Sequence, residues 1–228
     1  MIAPSQLQDQ QILLTTQQQH YLGHVLRLRS GDRFIAMDGQ GQWWLAVLRE
    51  VEAQILESIS VQTELPVAIT LMLALPKQGF DDVVRYCTEL GVASIVPVVS
   101  ERTLLNPSPQ KLQRWQRIAK EAAEQSERSF VPVILEPVSL NTGLSASTAT
   151  HRYLCVTRSN CLHLKEAINS DLTSEILIAI GPEGGWTASE VECAASSGCQ
   201  PVSLGRRILR AVTAPIVALS LVAAAFEV

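Results

Sequence analysis

"IGPEGGWTASE" occupies Ile180 to Glu190, directly after the apolar run "EILIA". An apolar run without polar alternation reads as a strand buried on both faces, as parallel sheets require. Gly181, Gly184 and Gly185 permit backbone angles closed to other residues, so the chain turns sharply after that strand. Thr187 and Glu190 have the spacing of a capping box, so a helix starts there. The turn therefore lies at the carboxyl end of a parallel strand, where open α/β sheets bind ligands. It contains no Gly-Lys-Ser/Thr and no G-x-G-x-x-G, and Glu183 would repel a phosphate, so it is neither a P-loop nor a dinucleotide fingerprint. Tight backbone turns around an acid suit a neutral or cationic ligand, or else a structural turn with a solvated glutamate.

The same texture extends outward from this loop. "VAITLMLAL", "SIVPVVS", "VPVIL", "RYLCVT" and "QPVSLG" read as strands, with helices at "DDVVRYCTELG", at "SPQKLQRWQRIAKEAAEQSER" and from about Ala214. Alternating strands and helices imply a mostly parallel sheet covered on both sides. Asp81 and Asp82 suit the first turn of their helix, and Gly91 its end. In the long helix, Trp115, Ile118, Ala119 and Ala122 share one side as core. Arg114, Arg117, Glu121, Gln125 and Arg128 gather on the other, either as a solvated face or as a polar wall towards a substrate. Two more loops have strand-end placement: "TRSN", and "RRILR", whose Arg206, Arg207 and Arg210 form the densest basic cluster. Before Pro66 the pattern differs. "RFIAMDGQGQWWLAVLREV" reads as strand, Asp38-Gly39 turn, strand, and "ILESISVQTE" alternates, marking a small antiparallel barrel or sandwich.

The chain has 228 residues, 47% hydrophobic and 18% charged, enough for one or two domains with a real core. Its net charge of −4 disfavours a nucleic-acid partner bound by bulk charge, and leaves local basic clusters as the route to one. Five cysteines with no C-x-x-C spacing argue against a disulfide framework or a zinc site and for reduced thiols in a cytoplasm. The N-terminus lacks a signal-peptide pattern, and the run from Ala214 to Phe226 is too short to span a bilayer. His20 and His24 are spaced i, i+4 without a carboxylate companion, so no metal is expected. No G-x-S-x-G is present, and no histidine lies in the strand-end loops, which excludes a serine or cysteine hydrolase.

Five segments, taken together, resemble the 16S ribosomal RNA (uracil-1498-N3)-methyltransferase family of the SPOUT class. They are "HYLGHVLRLRSGDRFIAMDG", "LPKQGFDDVVRYCTELGVASIVPVVSERT", "RWQRIAKEAAEQSERSFVP", "IGPEGGWTASE" and "LGRRILRAVTA". The pairing of "GPEGG" with "LGxxILR" is the specific part. The resemblance implies a PUA-like β-barrel over residues 1–66 that helps hold RNA, followed over 67–228 by a SPOUT-type α/β domain with a C-terminal trefoil knot. It further implies S-adenosyl-methionine as cofactor, a homodimer with its active site near the subunit interface, and N3-methyluridine in small-subunit rRNA as product. Gly181, Pro182, Glu183, Gly184 and Gly185 would wrap the cofactor, with Leu204, Gly205, Ile208 and Leu209 as a second, apolar cradle. Arg102, Gln125, Arg128 and Arg210 would form the uridine and phosphate side, and Arg27, Arg29, Arg33, Arg206 and Arg207 the RNA footprint.

Two positions depart from the family pattern: Val212 stands where a glutamate is usual, and Tyr86 where a lysine is frequent. Methyl transfer from a sulfonium is a direct displacement that needs positioning and loss of the uracil N3 proton, and no metal. Three other readings share these residues. They are a relative with another target nucleotide, a catalytically inactive RNA-binding relative, and a small-molecule enzyme.

Overall fold

The computed structural model describes residues 1–103, 107–168 and 175–227, and these divide into two compact units. The first comprises residues 1–64 and 127–130, the second 65–126 and 131–228, so a four-residue strip beyond residue 126 joins the N-terminal unit.

In the N-terminal unit, β1 (Leu7–Gln8) and β2 (Gln11–Leu13) lead into α1 (Thr16–His20), and a π-helical turn continues it over Tyr21–Val25. Then come β3 (Arg33–Met37), β4 (Trp43–Arg49) and β5 (Glu52–Ile59). The five strands form one antiparallel sheet in the order β1-β2-β5-β4-β3. The Asp38 carboxylate accepts the N–H groups of Gln40 (2.7 Å) and Gln42 (3.0 Å), which shapes the expected β3–β4 turn. Ile2 donates its N–H to Met37 O at 2.8 Å, so the segment before β1 reaches the strand at the opposite edge. Ile12, Leu14, Leu22, Ala36, Ala46, Leu48 and Ala53 fill the interior of this unit.

The C-terminal unit alternates strands and helices. In chain order it contains β6 (Ile69–Ala74), α2 (Phe80–Glu89), β7 (Ser94–Val99), α3 (Pro109–Gln125), β8 (Val133–Ile134) and β9 (Val138–Ser139). There follow α4 (Leu140–Ala146), β10 (His151–Cys155), α5 (Leu164–Ala167), β11 (Ile176–Ile180), α6 (Ala188–Ser196), β12 (Gln200–Val202) and α7 (Ala214–Phe226). The strands pair in parallel in the order β12-β10-β11-β6-β7-β8, with β9 also on β7. Pro137 stands between β8 and β9 and has no N–H to give to a ladder.

Side chains of a strand alternate between faces, and the cores follow that rule. Ile69, Leu71 and Leu73 of β6 pack with Ile176 and Ile178 of β11 against α2, α3 and α7, where Val84, Trp115 and Leu219 are buried. Met72 and Ala74 pack with Leu177 and Ala179 on the other face, against Leu140 and Leu144 of α4 and Ala194 of α6. The sheet is thus covered by helices on both sides, as its near-continuous apolar strands predict. Its central strands β11 and β6 neighbour each other although far apart in sequence, which makes their carboxyl ends a switch point. Among the described residues no helix is long and apolar enough to cross a membrane.

Candidate active site

Loops leaving the carboxyl ends of β6, β7, β10, β11 and β12 line one cavity of about 1140 Å3. The glycine loop contributes Gly181, Pro182, Glu183, Gly184 and Gly185, and the segment after β12 contributes Leu204, Gly205, Ile208 and Leu209. Arg102, Arg207 and Arg210 line it as well. Parallel neighbours in the sheet bring these loops together, since each strand ends at the same edge.

Hydrogen bonds fasten the loops to one another. Glu183 answers the question its sequence position raises: its Oε1 accepts the backbone N–H of Lys77 at 2.9 Å, tying the β11 loop to the β6 loop. Arg102 Nη1 donates to the Gly184 carbonyl. The Glu190 carboxylate closes the expected capping box with Thr187 (2.8 Å) and also accepts the Glu101 N–H at 2.9 Å. Ser189 Oγ donates to Glu101 Oε1 at 2.8 Å. One buried carboxylate, Glu190, therefore starts α6 and anchors the β7 loop.

The glycines act in two ways. Only Gly185, at φ +70°, uses a left-handed backbone within the GPEGG loop. Gly181 and Gly184 are needed for space: a Cβ at Gly181 would lie 3.2 Å from the Trp186 ring, and one at Gly184 3.1 Å from Arg102 Cδ. At Gly185 a Cβ would meet no atom within 4 Å, so it would project into open space. Val212 lies against the β6 loop, where a Cβ on Gly79 would be 2.9 Å from its Cγ1. An apolar side chain fills that contact in place of the acid the resemblance leads one to expect.

Lys77, Arg102, Arg158, Arg207 and Arg210 face two carboxylates, Asp82 and Glu183, in the cavity wall. All five cations are exposed. The cavity is locally positive although the chain is acidic overall. Cys155 also lines it, and burial, with Cys161 nearby, pushes its thiol up to about 12, so the sulfur is a neutral wall and no nucleophile at neutral pH. Among the described residues no cluster of His, Cys, Asp and Glu could hold a metal ion.

Sequence reasoning singled out neither Lys77 nor Arg158, although it placed the "TRSN" loop, which carries Arg158, at a strand end. Each lies three residues past the end of a buried parallel strand, and that position is a signal. Arg158 also adopts φ +58°, an uncommon backbone for a non-glycine residue.

Six expected site residues lie apart from the cavity wall. Arg206 is exposed beside it, and Gln125 ends α3 without lining it. Arg27, Arg29 and Arg33 are exposed in the N-terminal unit. Arg128 needs a correction: it does not extend the polar face of α3. The helix stops at Gln125, Glu127 turns left-handed at φ +55°, and Arg128 is buried with its guanidinium on Glu64 at 2.5 Å. Glu64 also accepts the N–H groups of Ser129 (2.8 Å) and Phe130 (3.2 Å), so Arg128 belongs to the framework of the N-terminal unit.

Comparison with known proteins gives this geometry a family. Residues 63–223 match the RNA methyltransferase domain, and residues 14–57 match the RNA methyltransferase PUA domain. The chain is 49% identical over 234 residues to the ribosomal RNA small subunit methyltransferase E of Synechocystis sp., covering 100% of this chain and 77% of that one. It is 30% identical to the protein of the same name from Bacillus subtilis, covering 91% and 87%. Its structure superposes with a TM-score of 0.83 on a ribosomal RNA small subunit methyltransferase E from Neisseria gonorrhoeae bound to S-adenosyl methionine, at 33% identity over 92% of this chain and 90% of that one. A parallel sheet whose loops close on one cavity, an accompanying PUA domain and these likenesses over most of each chain have one consequence: the chain belongs to the RNA methyltransferase family that joins this α/β domain to a PUA domain.

Proposed function

We propose that this protein methylates N3 of a uridine, the 1498 position, in 16S rRNA of the small ribosomal subunit, with S-adenosyl-methionine as methyl donor. The observation that carries the reading is the cavity itself, in which a glycine loop, an apolar segment and a ring of cations meet. The names of the Synechocystis and Bacillus relatives point to small-subunit rRNA, and the Neisseria structure to the donor.

The residues present fit S-adenosyl-methionine. The volume is ample, Gly185 leaves space that any side chain would fill, and Leu204, Ile208 and Leu209 offer an apolar wall. The backbone of residues 181–185 would hold its polar atoms. When bound, the donor supplies an activated methyl group from its sulfonium. The chain's own residues do the rest. Glu183 and Glu190 fix the loops, so the site is formed before substrate arrives, and positioning contributes most of the acceleration. Arg102 and Arg210 stand in the wall as cations for the uracil oxygens, where they would stabilise charge as the N3 proton leaves. Arg207 continues this positive edge, and Arg27, Arg29, Arg33 and Arg206 would add sequence-independent phosphate contacts.

The N-terminal unit acts here as the RNA-holding PUA-like domain, the C-terminal unit as the knotted catalytic domain. A homodimer in the cytoplasm completes the reading. α7 carries one polar residue, the exposed Ser220, yet Ile216, Val217 and Leu221 are only half-buried, as a helix awaiting a second copy would be. Mass spectrometry of 16S rRNA from a strain lacking the gene tests the proposal. N3-methyluridine at position 1498 should vanish and return with the wild-type gene; its persistence would refute the assignment.

A further inference from the structure

A second cavity of about 680 Å3 adjoins the first. The two share Lys77, Gln78, Gly79 and Asp82, so the β6 loop and the start of α2 form a ridge with a hollow on each side. The beginning of α3 forms the far wall of the second hollow, with Gln110, Lys111 and Arg114.

The charges around this hollow are not equally available. Asp81 accepts from Arg114 Nε at 2.7 Å and from Trp115 Nε1 at 3.0 Å. Asp82 pairs with Arg85 at 3.0 Å. Each acid is thus matched by an arginine. Lys77 and Lys111 remain, both exposed, and among the described residues neither ammonium pairs with a carboxylate. Exposed amides of Gln78 and Gln110 stand beside them. The aromatic rings beneath, Phe80 and Trp115, are 6% and 3% exposed, so no face is open for a base to stack on. The hollow therefore suits an anionic group with several acceptor oxygens and no ring.

An RNA substrate does not end at the nucleotide being methylated; its backbone must leave the site over one of the cavity's edges. We infer that the second cavity holds the phosphodiester adjoining the target nucleotide, with Lys111 and Lys77 as its cationic contacts. This rests on the RNA methyl-transfer reading above. Lys111 is the residue that separates the two, because it lines the second cavity and not the first.

The test uses the full chain, S-adenosyl-methionine and unmethylated small ribosomal subunits, with wild type, Lys111→Ala and, as control on the same helix, Lys120→Ala. Lys111→Ala should raise the KM for subunits about five-fold and reduce the salt slope of binding by about one, as loss of one phosphate contact does. Its kcat, donor affinity and oligomeric state should equal those of Lys120→Ala. A Lys111→Ala variant indistinguishable from Lys120→Ala would overturn the inference. So would a change of oligomeric state, which would assign the hollow to a subunit contact. Inhibition of the wild type by inorganic phosphate, with an RNA KM unaffected by Lys111→Ala, would assign it to a free anion instead. Absence of methyl transfer by the wild type would sink the functional reading, and this inference with it.

Discussion

Two short segments of this chain are each fastened by carboxylates with an arginine beside them, and they serve opposite ends. In residues 181–190 the acids Glu183 and Glu190 bind backbone N–H groups of neighbouring loops, and Arg102 meets the Gly184 carbonyl from the open side. The result is a cavity wall with its cations still exposed. In residues 125–130 the arginine turns inward and is consumed by Glu64. Residue type does not separate the two cases. What separates them is the partner: where carboxylates take backbone N–H groups, the arginines nearby keep charge for a ligand, whereas an arginine buried against a carboxylate has none left.

The sharpest way to break this contrast is at Arg128. Removing one member of a buried pair leaves an uncompensated charge, so Arg128→Ala should destabilise the fold by about 3 kcal/mol in denaturant unfolding. The double variant with Glu64→Ala should recover part of that loss, since no orphaned carboxylate remains. Methyl transfer per folded molecule should be preserved. A well-folded Arg128→Ala protein with abolished kcat would return the residue to the catalytic group and erase the distinction.

Glu183 tests the other segment. If it acts as a brace, an amide oxygen can replace a carboxylate oxygen as acceptor for the Lys77 N–H. Glu183→Ala should weaken donor binding about ten-fold, the scale of one charge-assisted hydrogen bond, and Glu183→Gln should lose less than half of that in free energy. Isothermal titration with S-adenosyl-methionine measures both. Equal losses for the two variants would mean that charge near a sulfonium matters, and that the brace is incidental.

What could be read in the sequence follows the range of the interactions. The apolar strands, the capping box at Thr187 and Glu190 and the turn at Asp38 all depend on residues within a few positions, and each lies where its local pattern puts it. Motif resemblance then supplied which loops meet, something no local rule gives for β11 and β6. Arg128 failed because helical spacing places a side chain only while the helix lasts. The helix ends at Gln125 and Glu127 takes a left-handed backbone, which no glycine announces in the sequence. For Glu183 the sequence left a ligand contact and a structural role both open, because its partner lies 106 residues away.

The finest test lies within one dipeptide. Arg206 and Arg207 are adjacent, equally charged and both exposed, yet only Arg207 lines the cavity. Arg206→Ala should act as loss of a distant phosphate contact, weakening RNA binding two- to three-fold, by roughly 0.5 kcal/mol, with the salt slope lower by about one and kcat unchanged. Arg207→Ala should show the same salt effect and in addition a kcat about three-fold lower, because a cation at the cavity edge acts on the bound nucleotide as well as on its backbone. Steady-state kinetics on small subunits at two salt concentrations separate these outcomes. Identical behaviour of the two variants would mean that the cavity edge is no boundary for function, and that exposure alone decides what an arginine contributes here.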